Sequence, residues 1–493
     1  MDVILALDQG TTGSRAILYS VQGRAVAQAY HEFPQYYPRP GWVEHDALEI
    51  WASVRRSIRE TLAQAPLARI VAIGITNQRE TTVLWDQQTG QPVHRAIVWQ
   101  CRRTADRCRE LTAEGLGGFF RRRTGLPVDA YFSGTKIEWL LKHMPRCRSL
   151  ARAGRLRFGT IDTWLLWNLT RGQKHATDFT NASRTLLFNL DRKQWDPDIL
   201  KKFGIPTGIL PDVLPSSGLF GRTAKLGFLP AGLPIAGMAG DQQAALFGQT
   251  CFAPGTLKNT YGTGCFMLLN AGTKRPHSRH GLITTLGCDG RGRPVYVLEG
   301  SIFIAGAAIQ WLRDGLKLLA TASESEALAR SLPGNEGVYF VPALVGLGAP
   351  YWDADARGTI VGLTRGTRRE HLVRAALEAM AYATRDVFEA MRLDSGLAVK
   401  ALQIDGGATA NDFLCQFQAD VLGLRVVRPR VRELTALGAA YLAGLAVGFW
   451  KNADEIKKHW MLDRVFKPRL KPAFVQRLYA GWKDAVERAR TRP

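Results

Sequence analysis

The sequence predicts an α/β protein of two domains, on three observations. Strand-like and helix-like segments alternate along its length, a strand–turn–strand plan near the start recurs halfway, and 493 residues exceed one ordinary core. Composition agrees with a globular chain: 46% of residues are hydrophobic and 22% charged.

The first strand is the apolar run 3–7, followed by the turn 8–13 (Asp8-Gln9-Gly10-Thr11-Thr12-Gly13) and a second strand at 15–21. The acidic second residue and five apolar residues before Asp8 lack the basic start and longer apolar region of a secretion signal. Asp46 then caps a helix in which Ile50, Val54, Ile58 and Leu62 recur at helical spacing, with Glu49 three residues after the cap. A strand at 70–75 leads into Gln78-Arg79-Glu80-Thr81, and further helices are expected at 136–143, 305–312, 371–391 and 411–422. The opening plan returns as strand 257–260, turn 261–264 and strand 265–269, which suggests a duplication. Gly248 and Pro254 punctuate the pattern between the copies, so the domains are expected at 1–250 and 251–493 with a hinge at 248–254. The longest uncharged run, 434–450, holds 17 residues with Gly438, Gly444 and Gly448. That is short of the ~20 a membrane helix needs, so it reads as a buried, tightly packed helix with no membrane insertion.

The seven cysteines are odd in number, scattered and without a Cys-x-x-Cys pair, which fits free thiols in a reducing, cytoplasmic setting. In such a setting Asn181-Ala182-Ser183 is not a glycosylation site. The net charge of +22 favours polyanions. Yet the basic residues fall in dispersed groups (121–123, Arg365/Arg368/Arg369, Arg428/Arg430/Arg432, 457–458) with no nucleic-acid module around them. No nucleic-acid partner is expected; the surface would attract anionic metabolites.

Chemistry points first to Gly240-Asp241-Gln242-Gln243, where one acid stands between a turn-rich apolar run and the small residues that begin at Ala244. The turn at 8–13 offers backbone N–H groups through Gly10 and Gly13, hydroxyls through Thr11, Thr12 and Ser14, and charge through Arg15, all suited to phosphate. Asp8 would repel phosphate, so it makes sense as a magnesium ligand, direct or through water. Taken alone, the same residues suit a plain hairpin turn equally well. Asp405-Gly406-Gly407-Ala408-Thr409-Ala410-Asn411 follows a strand and precedes a helix, placing Gly407 and Asn411 where a nucleotide could approach. Arg79 and Glu80 end a strand, where open α/β sheets bind ligands, though a surface ion pair fits as well. Trp99, Tyr131 and Phe266 lie beside these polar strings and would otherwise read as core residues. No Walker loop and no dinucleotide glycine spacing occurs.

Longer strings then carry a resemblance: 6–12 (ALDQGTT), 41–46 (GWVEHD), 74–82 (GITNQRETT), 97–100 (IVWQ), 131–136 (YFSGTK), 177–185 (TDFTNASRT), 240–249 (GDQQAALFGQ), 258–267 (KNTYGTGCFM), 303–312 (FIAGAAIQWL) and 346–353 (GLGAPYWD). On these the chain resembles the FGGY carbohydrate kinase family over nearly its whole length. The resemblance implies the actin/hexokinase-like (ribonuclease H-like) fold, with magnesium, ATP and glycerol bound in an interdomain cleft and the phosphoryl group passed to glycerol. It implies that Arg79, Glu80, Tyr131, Asp241 and Gln242 bond the glycerol hydroxyls, with Trp99 and Phe266 as an apolar wall and Asp241 as the base. It assigns Thr11, Thr12, Gly13, Arg15 and Thr263 to the phosphates, and Gly306, Gln310, Gly407 and Asn411 to the rest of the nucleotide. Gly13 stands where the family commonly has serine, which removes one hydroxyl. Homodimers or homotetramers are implied by likeness alone. The Gly-Gly-Thr-Arg loop and the phosphorylatable histidine that control some relatives are both missing ahead of residue 240, where 221–235 reads GRTAKLGFLPAGLPI. Two other readings remain: a ketopentose or other polyol kinase of the same family, and a silent actin-like nucleotide-binding protein.

Overall fold

In the computed structural model, which describes residues 1–431 and 433–491, the alternating apolar runs form two large mixed sheets. Arg432, counted above in one basic group, lies outside the described residues. The first sheet contains β1 (Asp2–Gln9), β2 (Gly13–Tyr19), β3 (Ala25–Glu32), β4 (Arg69–Asn77), β5 (Ser217–Arg222) and β6 (Pro234–Gly240), in the order β5-β6-β4-β1-β2-β3. The second contains β7 (Leu257–Tyr261), β8 (Cys265–Gly272), β9 (Ile283–Cys288), β10 (Pro294–Ile302), β11 (Ala401–Asp405), β12 (Arg425–Pro429) and β13 (Leu462–Phe466), in the order β9-β10-β8-β7-β11-β12-β13. In each sheet three antiparallel strands (β1-β2-β3; β7-β8-β10) continue into two parallel ones (β4-β6; β11-β12) on the other side of the first strand. The repeated hairpin read in the sequence is therefore part of a repeated sheet. The second strand begins at Gly13, two residues earlier than expected. Gly10 N donates to Gly13 O at 2.9 Å, closing the turn so tightly that Ser14 already pairs with Gln9, and Arg15 with Asp8.

The helices that position the site are α1 (Ala47–Gln64), α2 (Ser133–His143), α3 (Asp241–Gly248), α4 (Gly306–Asp314), α5 (Arg369–Ser395), α6 (Asp412–Leu422) and α7 (Leu434–Ala446). Asp46 caps α1 by accepting from Leu48 N and Glu49 N. Glu49 does not close a capping box; it takes the Tyr36 hydroxyl at 2.8 Å. Ile50, Val54 and Ile58 are buried in the core under the first sheet. Helix α2 starts three residues before the expected 136, because the Ser133 hydroxyl finds the Glu80 carbonyl at 3.0 Å and Gly134 N finds Thr185 O at 2.7 Å. Helix α5 runs 27 residues and packs on β8 and β10.

The uncharged run is a helix, α7, buried from Ala436 to Gly444. Its partners are β1, β4 and β6 of the first sheet together with α3, not the second sheet that precedes it in the chain. Close approach is what the small residues provide: a methyl group at Gly74 of β4 would overlap the Ala439 carbonyl, and one at Gly438 would overlap the Ala244 carbonyl.

Candidate active site

Strands β4 and β6, parallel neighbours in the first sheet, end side by side at Asn77 and Gly240. Their carboxyl ends deliver the two strings singled out above. After β4 the backbone turns through Glu80, whose φ of 60° is uncommon for a side-chain-bearing residue and worth a structural reason. That reason is the environment it reaches: Arg184 Nε donates to Glu80 Oε1 at 2.6 Å, and both side chains are buried. Arg79, also buried, sets its Nε 3.0 Å from Asp241 Oδ1 and grips Glu299 with both terminal nitrogens, at 2.7 and 3.0 Å. Asp241 opens α3, and its Oδ1 also accepts the Gln242 amide at 2.7 Å. One third of the Asp241 side chain stays open to solvent, while Arg79 is 2% exposed.

Gln242 is tied to the second sheet, because Lys258 Nζ on β7 donates to its Oε1 at 2.6 Å and to Thr260 Oγ1 at 2.8 Å. Burial pulls the Lys258 amine down to about 8, against Asp405 and Asp241, which hold the charge. Phe266 of β8 places its ring 6.0 Å from the Arg79 guanidinium. Tyr131 lies under Arg184 at 5.3 Å, and Trp99 meets Tyr131 edge-on at 5.6 Å. Trp99 Nε1 in turn donates to Thr11 Oγ1 at 3.0 Å, joining this group to the first turn. Arg79, Glu80, Trp99, Tyr131, Asp241, Gln242 and Phe266 thus form one connected cluster.

At the first turn, Thr12 is exposed and its hydroxyl meets Tyr30 Oη at 3.2 Å. Gly13 has no room for a side chain: a Cβ there would sit 2.5 Å from the Tyr30 ring. Arg15 is engaged by Glu433 at 2.6 Å, so it faces an acid at the start of α7 rather than open space. Burial pushes the Asp8 carboxyl up to about 7, with Glu433 and Asp241 adding to the rise and Arg15 opposing it.

The second turn repeats the design. Gly262 N donates to Gly264 O at 2.9 Å, and Thr263 is exposed at the tip. The start of α4 is stapled to it, Gly306 N to Gly262 O at 3.0 Å and Ala307 N to Thr263 O at 3.1 Å, while Gln310 lies on an exposed face of α4. At the third glycine element, Gly407 faces open space, and the forced close approach falls on Gly406, with φ 91° and the Tyr261 carbonyl where a Cβ would be. Asn411 caps α6 by accepting Leu414 N at 3.0 Å, and its amide donates to Ser325 at 3.2 Å, which leaves one of its N–H groups for a ligand.

Among the buried charges that the sequence reading did not single out, Glu299, Arg184 and Lys258 contact the side chains of Arg79, Glu80 and Gln242. Glu299 carried a signal akin to that of Asp241, a lone acid after an apolar run, here 295–298. Arg184 and Lys258 sit inside the strings 177–185 and 258–267.

The FGGY N-terminal domain of carbohydrate kinases matches residues 3–248, and the FGGY C-terminal domain matches residues 257–447. A glycerol kinase of Symbiobacterium thermophilum is 60% identical over 99% of this chain and 98% of its own length. "Glycerol kinase 2" of Thermotoga maritima is 57% identical over 99% of both chains. Among solved structures, Plasmodium falciparum glycerol kinase with ADP superposes with a TM-score of 0.94 at 36% identity, covering 100% of this chain and 99% of that one. A xylulose kinase of Lactobacillus acidophilus shares the fold at 23% identity and a TM-score of 0.89, over 99% and 98% of the two chains. The chain belongs to the FGGY family of carbohydrate kinases.

Proposed function

We propose that the protein transfers the γ-phosphoryl group of ATP to glycerol, giving sn-glycerol 3-phosphate for glycerol catabolism. The observation that carries this reading is the cluster of buried Arg79 and Glu80 with the partly open Asp241, walled by Trp99, Tyr131 and Phe266. It offers donors and acceptors for a small polyol. The names of the 57–60% identical relatives agree with it.

Asp241 is the base. Its Oδ1 is held by Arg79 and the Gln242 amide, while Oδ2 meets only a 3.4 Å contact from Gln242 Nε2 and is left to accept the hydroxyl proton. Phosphoryl transfer asks mainly for alignment, so the proton passes late. Alignment of the hydroxyl by Arg79, Glu80 and Tyr131 supplies on the order of 7–11 kcal/mol in a well-oriented reaction. A polyol lacking one hydroxyl leaves a buried donor or acceptor unsatisfied, a penalty that reaches about 10⁴-fold in well-built sites. Thr11, Thr12 and Thr263 at the two turns receive the phosphates, assisted by turn N–H groups. Arg15 would offset charge there on leaving its exposed partner Glu433, and Gly306, Gln310, Gly407 and Asn411 bound the remainder of the nucleotide.

Asp8 fits magnesium: its carboxyl is raised by burial and by two acidic neighbours, and its one opposing guanidinium is already claimed by Glu433. Among the described residues no group of three or more His, Cys, Asp or Glu side chains is placed to hold a metal ion. One carboxylate with waters and phosphates suits an ion that keeps much of its hydration. Bound with ATP, magnesium would supply charge neutralisation at the transferred group.

No helix among the described residues is long and apolar enough to cross a membrane. All seven cysteines are free and buried, which supports a cytoplasmic enzyme; homodimers or homotetramers complete the proposal. The test is phosphorylation of glycerol by the purified chain and by Asp241→Asn, with xylulose and ribulose as rivals. Turnover of glycerol that collapses in the variant supports the reading. Preference for a ketopentose, or ATP binding without turnover, rejects it.

A further inference from the structure

Glu299 is wholly buried on β10 of the second sheet, yet its charged partners are Arg79 and Arg184, both from the first half of the chain; its own strand adds only the Ser301 hydroxyl at 3.3 Å. Arg184 Nη1 stands 3.3 Å from Glu299 Oε2, and Arg184 Nε holds Glu80. The four side chains form a closed series of alternating charge, Glu80–Arg184–Glu299–Arg79, none more than 2% exposed. Burial alone would raise Glu299, but Arg184 and Arg79 hold it at about 2.

Such a group is a poor device for stability, since each ion must be taken from water and apolar residues of the same volume often do as well. Its geometry does something else. Arg79 has five N–H groups: Nε faces Asp241, Nη1 serves Gln243 at 3.2 Å and Glu299 at 2.7 Å, and Nη2 gives one to Glu299 at 3.0 Å. One N–H remains. Glu80 spends Oε1 on Arg184 and keeps Oε2.

We propose that Glu299 and Arg184 are positioning residues for the polyol site. They fix Arg79 and Glu80 so that one donor and one acceptor face the substrate, and they make that arrangement depend on where the second sheet lies. The inference rests on the function proposed above. Polyol affinity thereby becomes linked to the approach of the two halves, because Glu299 reaches the site only when β10 is seated against the ends of β4 and β6.

Glu299→Gln tests it. The change leaves Arg79 facing Asp241 and Arg184 facing Glu80, so no arginine is stranded. The expected result is a rise of about tenfold or more in the KM for glycerol, the scale of one lost hydrogen bond to a buried charge, with the KM for ATP within about twofold. Glu299→Asp recovers part of the loss, and Arg184→Lys, which keeps the charge but loses the fork, shows the same selective effect on glycerol. An unchanged glycerol KM overturns the proposal. So does a parallel loss of kcat and both KM values that follows the folded fraction in the two arms. A wild-type chain that does not phosphorylate glycerol overturns the function itself, and the inference with it; an active wild type with an unaffected variant overturns the inference alone.

Discussion

Gly13→Ser adds a hydroxyl at the first turn, and the structure gives the change a sign. The site is extended backbone in β2, so a side chain there recovers roughly 0.5–1 kcal/mol of the entropy that glycine loses on folding. Against this, the new Cβ falls 2.5 Å from Tyr30 Cζ and Oη, and the ring must leave. Its departure forfeits the 3.2 Å hydrogen bond to Thr12 and the Arg15 guanidinium stacked 5.5 Å from the ring. Those losses amount to about 1–2 kcal/mol for a partly exposed pair of contacts. The net effect is a destabilisation of ~0.5–1 kcal/mol by the same principles. In a Tyr30→Ala background the obstacle is gone and the same substitution stabilises. The assay is the thermal midpoint of the four proteins of this cycle, read with the KM for ATP, which rises in Gly13→Ser as Thr12 loses its support. A serine that is neutral or stabilising in the wild-type background would refute the argument that Tyr30 owns this space.

Four further outcomes are expected. Asp8→Asn raises the magnesium concentration needed for half-maximal activity by about tenfold or more and leaves the KM for glycerol unchanged; titration of activity with magnesium checks it. Burial lowers His45 from 6.5 to about 4, with Nε2 engaged by Gln35 at 2.6 Å, so it folds neutral. Its contribution is full above pH 6.5 and is lost as pH falls through about 4, so His45→Gln removes about 2 kcal/mol of the stability difference between pH 7 and pH 5, measured by denaturation at both. Gly74→Ala drives a methyl group into the Ala439 carbonyl and costs roughly 3 kcal/mol or more, seen as a lower unfolding midpoint. Trp99→Phe keeps the wall but frees the Thr11 hydroxyl, and raises the KM for ATP along with that for glycerol.

The parts of the fold that local chemistry dictates were legible. Glycine and threonine at the two turns, the Asp46 cap and the apolar spacing of α1 each declare themselves within a few residues. The partner of α7 did not, because a run of small uncharged residues states that it is buried and not against what. The same limit applies to the site. Arg79, Glu80 and Asp241 stand out as charges at strand ends, but Arg79 and Glu299 are 220 residues apart, and only the closing of two sheets joins them. Asn411 is expected at a ligand, and part of its capacity is spent elsewhere: its Oδ1 caps α6 and one N–H goes to Ser325, which a polar residue before a helix does not announce.

The crossing of α7 onto the first sheet also orders events during synthesis. Roughly 190 residues separate Gly248 from Leu434, and at about 5–20 residues per second the ribosome needs ~10–40 s to add them. Throughout that interval the β1–β4–β6 face around Gly74, and Ala244 on α3, lack the cover that α7 gives them. The first half of the nascent chain is thus a sticky intermediate by design, completed only by a segment from the other end. Fragments that stop before residue 434 should aggregate where the whole chain folds.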